Sequence, residues 1–432
     1  MYYYSVHTNT DLYTHIMKYM GSKRELLDKI RTIVISQGIG QDKALLDLFA
    51  GTCGVGMSLR DVMPVYSNDI QVYSSFIADG CLGASAFDLD KDSVLRAIEA
   101  KYKENYEALK QLLPASRAAS NAYIETQVWD DKKRNEYIAF AEQFESNVLG
   151  LKVENSELKK LGREYAKRQT DPSLFPYLQT TFLFSEMYFS IDQCMAIDSL
   201  VYAINNVSGQ NRKYQKLLFS ALIHSYSYAS AGTGHFAQFR DLSTMSSVKD
   251  VFIYRKKSVL DFFFRKAEEI AKMSEKNKSP DLSKSFSLDY IDLMSDKKIM
   301  KNVGIVYADP PYSFVHYSRF YHAIEDLCRY DYPSVEHKGR YRKDRHQSPF
   351  CIKTKAPSAF DSMFKKARDY ELPLLVSYSN TGMITLETLD DIARNNGYKV
   401  EALELDHKHS TMGRLKDKHR DVKEALLLCT LN

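Results

Sequence analysis

The sequence predicts an α/β fold, a Rossmann-like, mixed but mostly parallel sheet that carries a large, mostly helical insertion. Three observations predict it. A short apolar run enters a glycine-rich turn and a helix at LLDLFAGTCGVG, residues 45–56, as in the first unit of a parallel βα fold. Further apolar runs of strand length occur at 303–307 and 372–378 and end on polar residues, which suits strands covered on both faces. Between these regions, residues 85–285 lose the strand–helix alternation and take up helical apolar spacing. At 432 residues the chain can form one large domain with an insertion, or two domains.

Composition sets bounds on function. The net charge of +4 permits a nucleic-acid partner and argues for one only where charge is clustered. No apolar run is long enough to span a bilayer, and MYYYSVHTNTD lacks the basic and apolar regions of a signal peptide. The six cysteines are scattered, without CxxC or the His spacing of a zinc site. Reduced thiols in a cytoplasm, and no metal, are expected.

In chain order, HIMKYMGSK (15–23) precedes a helix pattern built on Leu26, Leu27, Ile30, Ile33 and Val34. Ser22 and Glu25 have capping-box spacing. Lys18 and Lys23 flank the turn at Gly21. They read either as solvated lysines beside a cap or as a cationic turn suited to a carboxylate. Next, Gly51, Gly54 and Gly56 are expected to make a tight turn before a helix starting near Met57. The spacing is GxxGxG, not the dinucleotide GxGxxG. PVYSNDI (64–70) reads as a second short strand with Asp69 near its end. An acid at that distance commonly binds a ribose hydroxyl pair, although a helix cap is the plainer alternative.

In the insertion, helical patterns run from Asp92 to Leu113 and near 134–149, 179–206, 211–228 and 250–275. QNRKYQK (210–216), Arg240 and YRKK (254–257) are candidates for phosphate contact, or for ordinary solvated helix faces. In AGTGHFAQF (231–239) two glycines suggest a close-approach loop, and His235 is a candidate donor to a phosphate or base. FSLDYIDLM (286–294) offers Asp289 and Tyr290 after a short strand, or simply a helix cap at Asp289.

The strand at 303–307 runs into ADPPYSF. Pro310 and Pro311 lack a backbone donor and stop it. Asp309, the Pro310 carbonyl and the Tyr312 ring then stand within four residues. That group suits a planar base held by its exocyclic amine, with Tyr312 stacking on the ring. Alone, it reads equally as a Pro-Pro loop with a capping Asp. EHKGRYRKDRHQSPFCIKTKAPS (336–358) is the densest basic run in the chain. It is expected to be a mobile loop that closes over a nucleic-acid backbone, with Arg340, Arg342, Lys343 and Arg345 as contacts. LPLLVSYSN (372–380) reads as a buried strand, LDDIARNNG (389–397) as a helix with a glycine stop. KVEALELDHKHSTMGR and EALLLCTLN read as two antiparallel strands around a polar basic loop at 406–421.

KYMGSK, DLFAGTCGVG and ADPPY, in this order, resemble the Dam-like (D12 class) adenine-specific DNA methyltransferases. The resemblance covers 16–84 and 286–432. It implies an S-adenosylmethionine-dependent catalytic domain in 1–84 and 286–432, with 85–285 as a helical target-recognition insertion. It further implies that Tyr19 and Lys23 hold the methionyl end of the cofactor, with Lys23 on its carboxylate. Asp47, Phe49, Gly51 and Gly54 would line the methionine and adenosine, Asp69 the ribose, and Asp289 and Tyr290 the cofactor adenine. Asp309, Pro310, Pro311 and Tyr312 would hold the target adenine. Double-stranded DNA is the implied substrate, a cognate restriction endonuclease a possible cellular partner, and the cytoplasm of a bacterium the location, on DNA. Methylation of RNA adenine or of cytosine N4 by the same site is the alternative chemistry. A nicotinamide-dependent oxidoreductase fits the glycine turn and Asp69, but neither GxxGxG nor DPPY.

Overall fold

The computed structural model describes residues 14–19, 23–40, 42–83, 91–207, 212–312, 317–406 and 423–431. The cap expected at Ser22, residues 210–211 of the QNRKYQK cluster and the basic loop beyond Asp406 lie outside the described residues.

Seven strands form one mostly parallel sheet. They are β1 (Ala44–Asp47), β2 (Val65–Asn68), β3 (Lys284–Phe286), β4 (Val303–Ala308), β7 (Leu374–Ser379), β8 (Tyr398–Asp406) and β9 (Lys423–Leu431). The order is β3-β2-β1-β4-β7-β9-β8. All neighbours pair in parallel except β9, which runs antiparallel to both β7 and β8. The order reverses between β1 and β4, where crossovers leave in opposite directions and a crevice opens at the carboxyl ends of the strands. A separate hairpin pairs β5 (Val335–Glu336) with β6 (Tyr341–Arg342).

Side-chain alternation sorts the sheet into two covered faces. Leu45, Ile305, Leu375 and Leu426 pack with the helices Leu27–Ser36 and Gly54–Leu59. Their neighbours Ala44, Leu46, Val306, Ala308, Leu374, Val376 and Leu427 pack with Ala356–Arg368 and Leu386–Asn395. Helices therefore cover both faces, which is why these strands are apolar throughout.

The expected insertion is helical from Lys91–Leu112 through Val259–Ser274. Its core is not sealed off from the rest. Leu200, Leu222 and Phe263 share one apolar cluster with Tyr73 and Ile77 of the helix Val72–Leu82, and with Tyr321 and Ile324 of the helix Tyr317–Arg329. The single helix expected at 179–206 is two, Gln179–Phe184 and Ile191–Val207. Between them Glu186 turns to φ 58°, and its buried carboxylate meets Arg255 and the Tyr137 hydroxyl. Satisfying that buried charge outweighs continuing the helix. Among the described residues no helix is long and apolar enough to cross a membrane.

Candidate active site

β4 pairs with β1 on one side and β7 on the other, so its end is fixed from both flanks. Asp309 follows Ala308 immediately, and the two prolines prevent further pairing. Asp47 ends the adjacent β1, and Asp69 follows β2. Every residue expected for the acceptor and cofactor sites lines one cleft at these strand ends. These are Tyr19, Lys23, Asp47, Phe49, Gly51, Gly54, Asp69, Asp289, Tyr290, Asp309, Pro310, Pro311 and Tyr312.

The glycine turn is narrower than expected. The helix begins at Gly54, so Gly54 and Gly56 are helical and the turn rests on Gly51, with φ +52°. The left-handed backbone at Gly51 disfavours a side chain, and a Cβ there would lie 2.7 Å from the Tyr19 hydroxyl and displace the tip of that ring. The Gly51 N–H donates to Asp69 Oδ2 (3.0 Å), and the Gln71 N–H to Asp69 Oδ1 (2.9 Å). Asp69 thus ties the end of β2 to the turn after β1. The Asn68 amide does the same for the third wall, donating to the Leu48 and Leu288 carbonyls at 3.1 Å each. That contact brings Asp289 to the cleft, where it also caps the helix Tyr290–Ser295 by accepting from the Ile291 N–H.

The electrostatics are dominated by carboxylates at the strand ends. Asp47 is buried, and burial followed by the charges of Asp309 and Asp69 pushes it up to about 8. Its Oδ1 has no hydrogen-bond partner among the described residues. Asp309 is one-fifth exposed. Burial raises it to about 6, Lys23 opposes that shift, and Glu424 adds to it. Lys23, expected on the cofactor carboxylate, is instead held by protein carboxylates. Its Nζ lies 3.0 Å from Glu424 Oε1 and 3.3 Å from Asp309 Oδ1. Burial alone would lower the Lys23 ammonium, but Asp309, Tyr312 and Glu424 raise it well above its usual value. The ammonium also lies 5.4 Å from the Tyr312 ring centroid, and the Tyr312 hydroxyl reaches Glu424 Oε1 at 3.4 Å.

Glu424 is the residue that sequence reasoning missed. It sits in β9 beside Ser379 of β7. A single acid at the start of an otherwise apolar strand, EALLLCTLN, was the available signal. An aromatic wall completes the cleft. Phe49 and Tyr290 line it, their ring centroids 6.0 Å apart. Phe350 is buried against them, edge-on to Phe49 at 5.3 Å and to Tyr290 at 5.0 Å.

That wall corrects the basic-loop expectation. Residues 335–351 form the β5–β6 hairpin and a 3-10 turn, Pro349–Cys351, with His346, Gln347 and Cys351 lining the cleft. Arg340 is buried and donates to the Leu183 carbonyl. Arg342 is buried against Asp326 (2.9 Å), Asp331 (2.7 Å) and Asp344 (3.0 Å). Neither guanidinium is presented to a backbone phosphate, because both are buried. Arg342 directs its donors to three carboxylates, and the Arg340 Nε is enclosed without a partner among the described residues. Arg345 pairs with Glu336 at 3.0 Å, and Lys343 is exposed. His235 is half-buried. It accepts from the Ala237 N–H at Nδ1 (3.2 Å) and packs on Phe320. The close approach in its loop is the loop's own backbone, since a Cβ at Gly232 would meet the His235 carbonyl at 2.8 Å. Arg240 lies 3.1 Å from Asp250. None of these six basic residues lines the cleft.

The chain is 22% identical over 380 residues to the modification methylase LlaI of Lactococcus lactis subsp. lactis, covering 88% of this chain and 48% of that protein. It is 23% identical to the modification methylase StsI of Streptococcus sanguinis, with 88% and 46% covered. It is 24% identical to the type II methyltransferase M.FokI of Planomicrobium okeanokoites, with 88% and 47% covered. The chain spans about half the length of these curated relatives. No solved structure matches it. Residues 19–374 match the family described as D12 class N6 adenine-specific DNA methyltransferase, and with most of its length inside that match the chain belongs to this family.

Proposed function

We propose that this protein transfers a methyl group from S-adenosylmethionine to N6 of an adenine turned out of duplex DNA, on a Rossmann-like methyltransferase fold. The observation that carries the reading is the meeting of Asp309, Asp47 and the aromatic wall in one cleft at the point where strand order reverses.

The residues fit the cofactor. The unpartnered Asp47 Oδ1 suits the ammonium of its methionyl end. Phe49 and Tyr290, backed by the buried Phe350, suit an adenine ring, and the remaining lone pairs of Asp69 suit a ribose. Bound there, the cofactor supplies a methyl group already activated on a sulfonium. Asp309 and the Pro310 carbonyl accept the two N6 hydrogens of the target base and draw that nitrogen towards a tetrahedral, nucleophilic shape. Asp309, ionised above about pH 6, then stabilises the positive charge that develops on N6. The extra proton leaves N6 through Asp309 or water. Lys23 holds the Asp309 carboxylate, and Glu424 holds Lys23. A paired adenine cannot reach Asp309, so the base must leave the stack, at a cost of about a few kcal/mol.

Two of the relatives are named as modification methylases and the third as a type II methyltransferase, so a restriction–modification setting with a cognate endonuclease, in the cytoplasm, is the biological reading. Transfer of labelled methyl from S-adenosylmethionine to duplex DNA, followed by nucleoside analysis, tests it. N6-methyladenine is the expected product. N4-methylcytosine, or transfer to RNA alone, would overturn the substrate assignment.

A further inference from the structure

Beside the cleft, four cations gather round three aromatic rings. Lys18 Nζ lies 5.4 Å from the Tyr228 ring centroid and 5.1 Å from that of Tyr254. Lys257 Nζ stands 3.8 Å from Tyr254, and the guanidinium carbon of Arg240 lies 5.3 Å from the same ring. Arg265 lies 5.1 Å from Phe262, whose ring neighbours Tyr228 at 6.3 Å. These residues come from the first described segment, three helices, the turn at Lys257 and the loop after Ala231. Their convergence is a product of the fold, not of one basic run.

The group is built and held. The Lys18 N–H donates to Ser227 Oγ at 3.0 Å, and Lys257 Nζ donates to the Tyr228 carbonyl at 3.1 Å. Both lysines are partly buried. Asp250 meets Arg240 at 3.1 Å. Lys18, Lys257 and Arg265 make no ion pair among the described residues. Burial, then the charges of Lys257 and Arg240, lower Lys18 to about 8. Positive charge is thus concentrated against its own repulsion, on ring faces that favour cations. An anion relieves that repulsion. Tyr19, next in the chain to Lys18, lines the cleft and closes over Gly51, so the group adjoins the cleft.

We infer that Lys18, Arg240 and Lys257, backed by Tyr228 and Tyr254, form a phosphodiester-binding site that holds the DNA strand beside the base presented to the cleft. The inference rests on the proposed DNA substrate and adds where that substrate's backbone is gripped.

The test is binding of a fluorescently labelled mixed-sequence duplex to the full chain across a NaCl series, with methyl transfer measured in parallel. Arg240→Ala and Lys257→Ala should each flatten the log affinity–log salt slope by about 0.9, the value for one lost phosphate contact. Lys257→Arg should restore the slope, which a purely packing role would not require. Lys365→Ala, at an exposed position of the helix Ala356–Arg368, should leave it unchanged. S-adenosylmethionine affinity and melting temperature should stay at wild-type values. A wild type that methylates DNA while both alanine variants keep its slope overturns this inference and leaves the proposed function standing. Patch-dependent binding without any methyl transfer does the reverse. A wild type that does not bind duplex DNA overturns both.

Discussion

Two stretches, 303–312 and 335–351, both contribute residues to one cleft and behave differently as text. The first is an apolar strand followed by DPPY. Pairing on both flanks and two prolines leave Asp309 one place to go, the end of β4. The second is a run of charge that reads as exposed and mobile, yet Arg342 is buried among Asp326, Asp331 and Asp344. Backbone constraints are local, so they can be read locally. The fate of a guanidinium depends on which acceptors the rest of the fold brings to it. Two of those three, Asp326 and Asp331, come from the segment just before the hairpin.

The sharpest break of this comparison is Asp309→Ala. It should reduce kcat by about 10²–10⁴-fold, the range for losing a positioned electrostatic or acid–base group, without lowering the melting temperature. Near-normal turnover would show that the strand-end assignment is misplaced. Arg342→Ala should do the opposite. Leaving Asp326 buried without its partner should destabilise the fold by roughly 3–5 kcal/mol, visible in a denaturant melt. An unaltered melt with weakened DNA binding would return Arg342 to the interface. Asp47→Asn should weaken S-adenosylmethionine binding, measured by calorimetry, by about 1.5–3 kcal/mol, as for a lost hydrogen bond to a charged group. Equal affinity would remove Asp47 from the cofactor site.

A pH profile sharpens the comparison further. If ionised Asp309 is required, log kcat/KM should rise with unit slope up to about 6 and then level. Glu424 raises Asp309, so Glu424→Gln should move that limb to lower pH. An upward move would mean that Glu424 acts through something other than Asp309. The smallest effect belongs to Lys343→Ala, at an exposed position in the same run as Arg342. It should change stability by less than about 0.5 kcal/mol.

The helix Val72–Leu82 shows why some of the fold escaped the sequence. Its first N–H groups are capped by Glu325, whose carboxylate accepts from Val72 at 3.1 Å and Tyr73 at 3.2 Å. No local spacing can announce a cap from another helix. The helices Pro114–Ile124 and Ser156–Thr170 were likewise not singled out. The break at Glu186 answers to Arg255, far along the chain. Glu424 joins Lys23 only because β9 returns antiparallel beside β7.

Alone, the sequence determined the parallel strands, the polar residues at their ends, a glycine turn after the first strand, though not its extent, and the helical character of residues 91–274. Each follows from side-chain period, proline's missing donor or glycine's missing Cβ, which act within a few residues. Tertiary structure decided which charges pair, which are buried and which converge round Tyr254. Electrostatic partners are chosen by distance in space, and a linear pattern does not contain that distance.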